Sequence, residues 1–307
     1  MAFVLAAFAA ACIPAAWALA AARWPRRSPA AAIVLWQALG LGWGLAAVGA
    51  LAALGTADAG VGVAGSAFAL TSRLLEGKRL AGGVLGLRLL ALVAGLVLLM
   101  LLCWILVAAS AAVLRARRRQ RLLLSLLAHG DPKVPGALVV DHPAAAAYCV
   151  PGLRSRIVIS AGALDLLNQA ELAAVLAHER AHVRERHDLV LLPFTALLRA
   201  FRWSGVAREA HAAVSLLVEM LADDRALRHR PARELATALL RVGAAGGAPA
   251  PAGALAIGGG AADGQVALRV ARLLHPSPRL PARTLALVGL LAAATVAIPA
   301  ACLTLPF

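Results

Sequence analysis

"NQAELAAVLAHERAHVRERHD", residues 168–188, stands out from a chain that is otherwise mostly alanine, leucine and glycine. Asn168 followed by Glu171 is the signature of a capping box, in which each side chain satisfies a backbone N–H of the other. From Glu171 to Asp188 there is neither Gly nor Pro, so the stretch predicts one continuous helix. On that helix His178 and His182 lie four residues apart and share a face. Two imidazoles so placed can hold one zinc ion. Glu179 stands beside them and is positioned to take a proton from water on the metal, as the acid of His-Glu-x-x-His does.

Zinc needs a third protein ligand and an open position. Asp188 has the offset of a ligand that follows a turn in the chain, but Glu185 occupies the midway position where a Gly would make that turn. A continuing helix carries Asp188 away. The alternative comes from a second helix, predicted over 207–229, on which Glu219 and Asp223 are four apart and share a face. Glu219 is then the ligand, while Asp223 hydrogen-bonds a ligating histidine and fixes its tautomer. His187 and His211 are spare. Of these, His211 is available as a donor that steadies an oxyanion; Arg225 and Tyr148 are weaker donors for the same task.

The surroundings of this motif are those of a membrane protein. The chain is 62% hydrophobic and 15% charged, with a mean hydropathy of +0.82, too apolar for an ordinary soluble enzyme. Four stretches, about 2–22, 31–55, 84–113 and 284–305, each supply the roughly 20 apolar residues that a span needs. The first lacks a basic start, and its positive cluster Arg23, Arg26 and Arg27 follows the apolar run, so an uncleaved span is expected rather than a signal peptide. The positive-inside rule puts this cluster and "RARRRQR" at 115–121 in the cytoplasm, the loop 56–82 outside, and both termini outside.

The formal charge of +15 is accordingly assigned to topology and to contact with the lipid bilayer; direct nucleic-acid binding is not expected. "DLVLLPFTALLRAF" at 188–201 is too short to span and carries Pro193, which makes it a core or membrane-face helix. Arg88 is the one clear charge inside a span and lies near its end, which argues against a transporter or channel. Cys12, Cys103 and Cys302 sit in apolar runs and Cys149 stands alone, so reduced thiols and no cysteine metal site are expected.

The expected organisation is three transmembrane helices within 1–114, a cytoplasmic zinc domain at 115–283, and a fourth transmembrane helix at 284–307. The zinc domain opens with short β-branched runs in 136–162, then the two helices. A Gly/Ala/Pro-rich stretch at 243–264 reads as a flexible loop, and the helix "GQVALRVARLL" follows it. The fold class is therefore mainly α, a multi-span helical protein with a small α+β zincin-like metallopeptidase domain in the cytoplasm.

"AVLAHERAHVRERHDL" followed by "EMLADDRAL" resembles the membrane gluzincin peptidases, among them HtpX-like and CAAX-prenyl-protease-like enzymes. The order of spans, and the segment "AYCVPGLRSRIVISAGALDLLNQAEL", are most similar to the BlaR/MecR-like antirepressor group. The resemblance implies His178, His182 and Glu219 as zinc ligands, Glu179 as catalytic base and Asp223 as their outer partner. It implies a bacterial plasma-membrane endopeptidase that cleaves a cytoplasmic protein or peptide substrate, such as a transcriptional repressor, in signalling. An extended substrate is expected to pair with a strand from 136–160. Membrane protein quality control is the other expectation of that class, and a non-catalytic receptor or scaffold is the rival from another. The sequence stops at Phe307, where the β-lactam receptors continue into a penicillin-binding domain, so direct β-lactam sensing is not expected.

Overall fold

The computed structural model describes residues 1–56, 83–130, 134, 136–150, 156–245, 255–256 and 263–304. The expected outer loop at 56–82 lies, apart from Thr56, outside the described residues. The chain divides into two compact units, one of Met1–Leu106, Arg202–Ala210 and Leu280–Phe307, the other of Val107–Phe201 and His211–Arg279.

The first unit is built on α1 (Ala2–Ala21), α2 (Pro29–Gly55), the first half of α3 (Gly83–Leu127) and α10 (Ala282–Thr304). All four helices are long and apolar enough to cross a membrane. Small residues let α2 approach its neighbours: Ala46, Ala50 and Ala53 pack against Leu5 of α1, with Cys302 beside them. A Cβ at Gly42 would meet the backbone carbonyl of Thr295 on α10. On α3 the apolar side chains turn outward instead, with Leu87, Leu90 and Trp104 all exposed. This helix does not end where its apolar run ends. It continues unbroken through the basic run to Leu127, since nothing between Val113 and Leu127 is a Gly or Pro.

The second unit holds a five-stranded sheet ordered β1-β2-β4-β3-β5, from β1 (Ala128–Gly130), β2 (Ala137–Val140), β3 (Ala147–Val150), β4 (Arg156–Ser160) and β5 (Leu255–Ala256). β2 and β4 run parallel and the other pairs are antiparallel. β4 is buried from Ile157 to Ser160, as a central strand covered on both faces must be. One face, with Val139, Ala147, Ile157 and Ile159, packs under Leu172, Val175 and Leu176 of α5 (Gln169–Arg184) and Leu235 and Leu239 of α8 (Ala232–Ala244). The other carries Val150 and Val158 against Leu124 of α3. β5 pairs with Tyr148 and Cys149, so part of the aperiodic stretch 243–264 adds a strand; most of the remainder lies outside the described residues.

Short α4 (Ala161–Leu166) is capped by Ser160, whose hydroxyl accepts from the N–H of Ala163. The capping box of α5 forms as its sequence predicts, with Asn168 Oδ1 accepting from Glu171 N at 2.9 Å and Glu171 Oε2 from Asn168 N at 3.0 Å. The far end of α5 departs from expectation. The helix stops at Arg184, and Arg186 adopts φ +52°, a left-handed conformation. α6 (His187–Ala200) then starts with Arg186 as its N-cap. A left-handed non-glycine residue costs about 1 kcal/mol. Three contacts offset it: Glu185 pairs with Arg225, His187 hydrogen-bonds His182, and Asp188 meets Arg117 at 2.8 Å. Tertiary partners, absent from any local pattern, end the helix. The remaining helices are α7 (Gly205–Ala226) and α9 (Asp263–Leu274).

Candidate metal centre

The helical repeat turns His178 and His182 of α5 to one side, where both are buried and their Nε2 atoms stand 3.0 Å apart. α7 delivers Glu219 to the same point, Oε2 at 3.4 Å from His178 Nε2 and Oε1 at 3.4 Å from His182 Nε2. The three donor atoms fall within 4.8 Å of one another. Bonds of about 2.0–2.2 Å at tetrahedral angles put ligand atoms roughly 3.3–3.5 Å apart, so these separations fit the edges of one coordination tetrahedron. Two imidazole nitrogens facing each other at 3.0 Å repel through their lone pairs unless a cation or a proton lies between them. The donor set thus fits a small divalent ion. Glu179, one residue after His178, is also fully buried.

The other ring nitrogens are held by two different arms. His178 Nδ1 stands 2.9 Å from Asp223 Oδ1, an ion-pair contact. Asp223 lies one turn after Glu219 on α7, and both its oxygens accept from Arg269 of α9, at 2.9 Å from Nε and 2.7 Å from Nη2. Arg269 also reaches Glu219, Nη1 to Oε2 at 2.9 Å. His182 Nδ1 meets His187 Nδ1 at 2.9 Å. With His182 Nε2 turned to the ligand cluster, its Nδ1 carries the proton and donates, His187 Nδ1 accepts, and His187 Nε2–H faces Glu185 Oε2 at 3.5 Å. Glu185 is tied in turn to Arg225.

These charges set the two histidines apart. Burial works against charging His178, but the adjacent carboxylates of Asp223 and Glu219 outweigh it and raise its pKa to about 9. His182 has no carboxylate on Nδ1, and burial, opposed by Glu219 and assisted by His178, His187 and Arg269, lowers it to about 3. Burial disfavours the Glu219 carboxylate, yet Arg269 and the histidines bring it down to about 2, and Asp223 is depressed in the same way by Arg269 and His178.

Residues 113–241 match peptidase family M48. No curated protein and no solved structure matches the chain. The M48 match takes in α5 and α7 and so carries the whole His-His-Glu cluster; it supports a metallopeptidase of gluzincin type, with a protein or peptide as substrate.

Of the residues singled out in the sequence, His178, His182, Glu219 and Asp223 are brought together, and Glu179 is buried one residue after His178. Asp188 goes to Arg117 instead. His211, two turns before Glu219, is half-buried, and that burial, with the charge of Arg199, lowers its pKa. Arg225 is engaged by Glu185, and Tyr148 packs with Leu124 on the sheet face away from α5. Sequence reasoning missed Arg269 and the part played by His187. Arg269 had a signal: Val266, Val270 and Leu273 make a helical apolar stripe, and an Arg in that stripe requires a buried acid. His187 had none, because it arrives only through the left-handed turn at Arg186.

Proposed function

We propose that the chain is a membrane-bound zinc endopeptidase of the plasma membrane, with its peptidase domain in the cytoplasm and both termini outside. His178, His182 and Glu219 hold the metal, Glu179 is the general base, and Asp223 orients His178. The observation that carries this reading is the meeting of Glu219 with the two motif histidines from a separate helix. Zinc, when bound, supplies the Lewis acidity that polarises a peptide carbonyl and acidifies water. Glu179 takes a proton from the attacking water and hands it to the departing amine nitrogen. Burial of Glu179, His178 and His182 keeps bulk water from the exchange.

The BlaR/MecR-like pattern of spans favours a cytoplasmic transcriptional repressor as substrate. Strand addition by the substrate is not assigned to β2, β3 or β4, since each has a neighbour on both sides. The test is Glu179→Gln in cells, with proteomic comparison against wild type. The expected result is normal zinc content, loss of cleavage by several orders of magnitude, and accumulation of one uncut repressor. Cleavage that continues in the variant overturns the peptidase reading; accumulation of uncut membrane proteins redirects it to quality control.

A further inference from the structure

The last helix of the second unit contributes the least expected group at the centre. Arg269 is only 1% exposed, and its guanidinium spends all three nitrogens on two carboxylates: Nε and Nη2 on Asp223, Nη1 on Glu219. Residue 269 lies beyond the stretch that matches M48. Three acids crowd this interior. Asp223 and Glu179 are buried and Glu219 is nearly so, and the charge of Glu179 is felt at Arg269. Buried carboxylates without compensation are costly. A divalent ion balances two of the three, and Arg269 balances the third, so that the loaded centre is electrically neutral.

The geometry does more than balance charge. Asp223 Oδ1 accepts from Arg269 Nη2 and lies 2.9 Å from His178 Nδ1, so the carboxylate set against the first histidine is itself oriented by the guanidinium. The same guanidinium also pairs with Glu219, Nη1 to Oε2 at 2.9 Å. A planar fork can do this and an ammonium cannot, because one point charge does not meet two carboxylates at set angles. We propose that Arg269 is the positioning residue of the metal centre, holding Glu219 and Asp223 in ligating orientation and closing the charge balance of the bound ion. This rests on the reading of His178, His182 and Glu219 as the metal ligands.

The test uses the full chain in lipid nanodiscs. Zinc affinity is measured by chelator competition, and the visible absorption of the cobalt-substituted protein reports ligand geometry. Arg269→Lys keeps the charge and loses the fork; it is expected to bind zinc about 10–100-fold more weakly, the range seen when an outer partner of a metal ligand is changed, and to shift the cobalt bands. Should that variant fail to fold, the double change Asp223→Asn with Arg269→Gln removes the buried charges together and is expected to show the same loss. Wild-type zinc affinity with unaltered cobalt bands in the variant that folds overturns the proposal while leaving the metal centre standing. Absence of stoichiometric zinc and cobalt binding in the wild type overturns both.

Discussion

His178 and His182 aim one nitrogen each at the same point, yet the arms behind them are built from opposite materials. Behind His178 stand a carboxylate and a guanidinium, each about 1% exposed, with two hydrogen bonds between them. Behind His182 stands an imidazole, then Glu185 and Arg225 at 29% and 31% exposure. Depth explains the contrast. An ionic arm in the interior has to be paired at every oxygen. An arm that runs outward can begin with a neutral ring and leave its charges to water. The deep arm is therefore expected to govern whether the centre exists, and the outer arm to adjust it.

The hardest blow to this contrast is Asp223→Ala. It strips two hydrogen bonds from Arg269 and a close carboxylate from His178, and among the described residues it leaves the buried guanidinium paired with Glu219 alone. Removing one member of a buried pair costs about 3–5 kcal/mol. Thermal unfolding of the purified chain should fall accordingly, with zinc affinity down by roughly two orders of magnitude from the lost orientation and charge balance. A variant as stable as wild type would show that the deep arm is ornamental.

Acidity separates the arms next. His178 has its pKa raised to about 9, so at neutral pH it holds a proton that a metal ion must displace. His182, lowered to about 3, is already neutral there. The sign follows: zinc affinity rises as pH rises toward 9 and levels off above it, by about tenfold per pH unit for the single proton released. Titration calorimetry between pH 6 and 8 in buffers of different ionisation enthalpy should count that one proton. Two protons, or none, would mean that both histidines are held alike.

Much of this centre was legible in the sequence because its logic is local. The capping box fixed where α5 starts, the four-residue spacing fixed the shared faces of His178 with His182 and of Glu219 with Asp223, and composition marked the four apolar helices. What escaped was decided by partners distant in the chain. The run from Glu171 to Asp188 holds no helix breaker, yet α5 ends at Arg184 because Arg117, Arg225 and His182 each claim a residue beyond it. Arg269 followed a readable rule, an arginine within an apolar stripe, but the rule demands an acid without saying which one.

The smallest effect is expected at the tip of the outer arm. Arg225→Met removes the partner of Glu185, three contacts away from His182 along the relay. Both side chains are about a third open to water, where such pairs contribute roughly 0–1 kcal/mol and are screened by salt. Methionine keeps much of the stem that Arg225 packs with, so the change isolates the charge. Stability should move by less than about 1 kcal/mol and zinc affinity by no more than about threefold. Raising the ionic strength should bring wild type toward the variant, since salt weakens the same pair that the mutation deletes, whereas the Asp223–Arg269 pair, shut off from water, should not respond. If Arg225→Met instead lost zinc as severely as Asp223→Ala, charge at the surface would be reaching the metal through His187 undiminished. The two arms would then differ in composition but not in consequence.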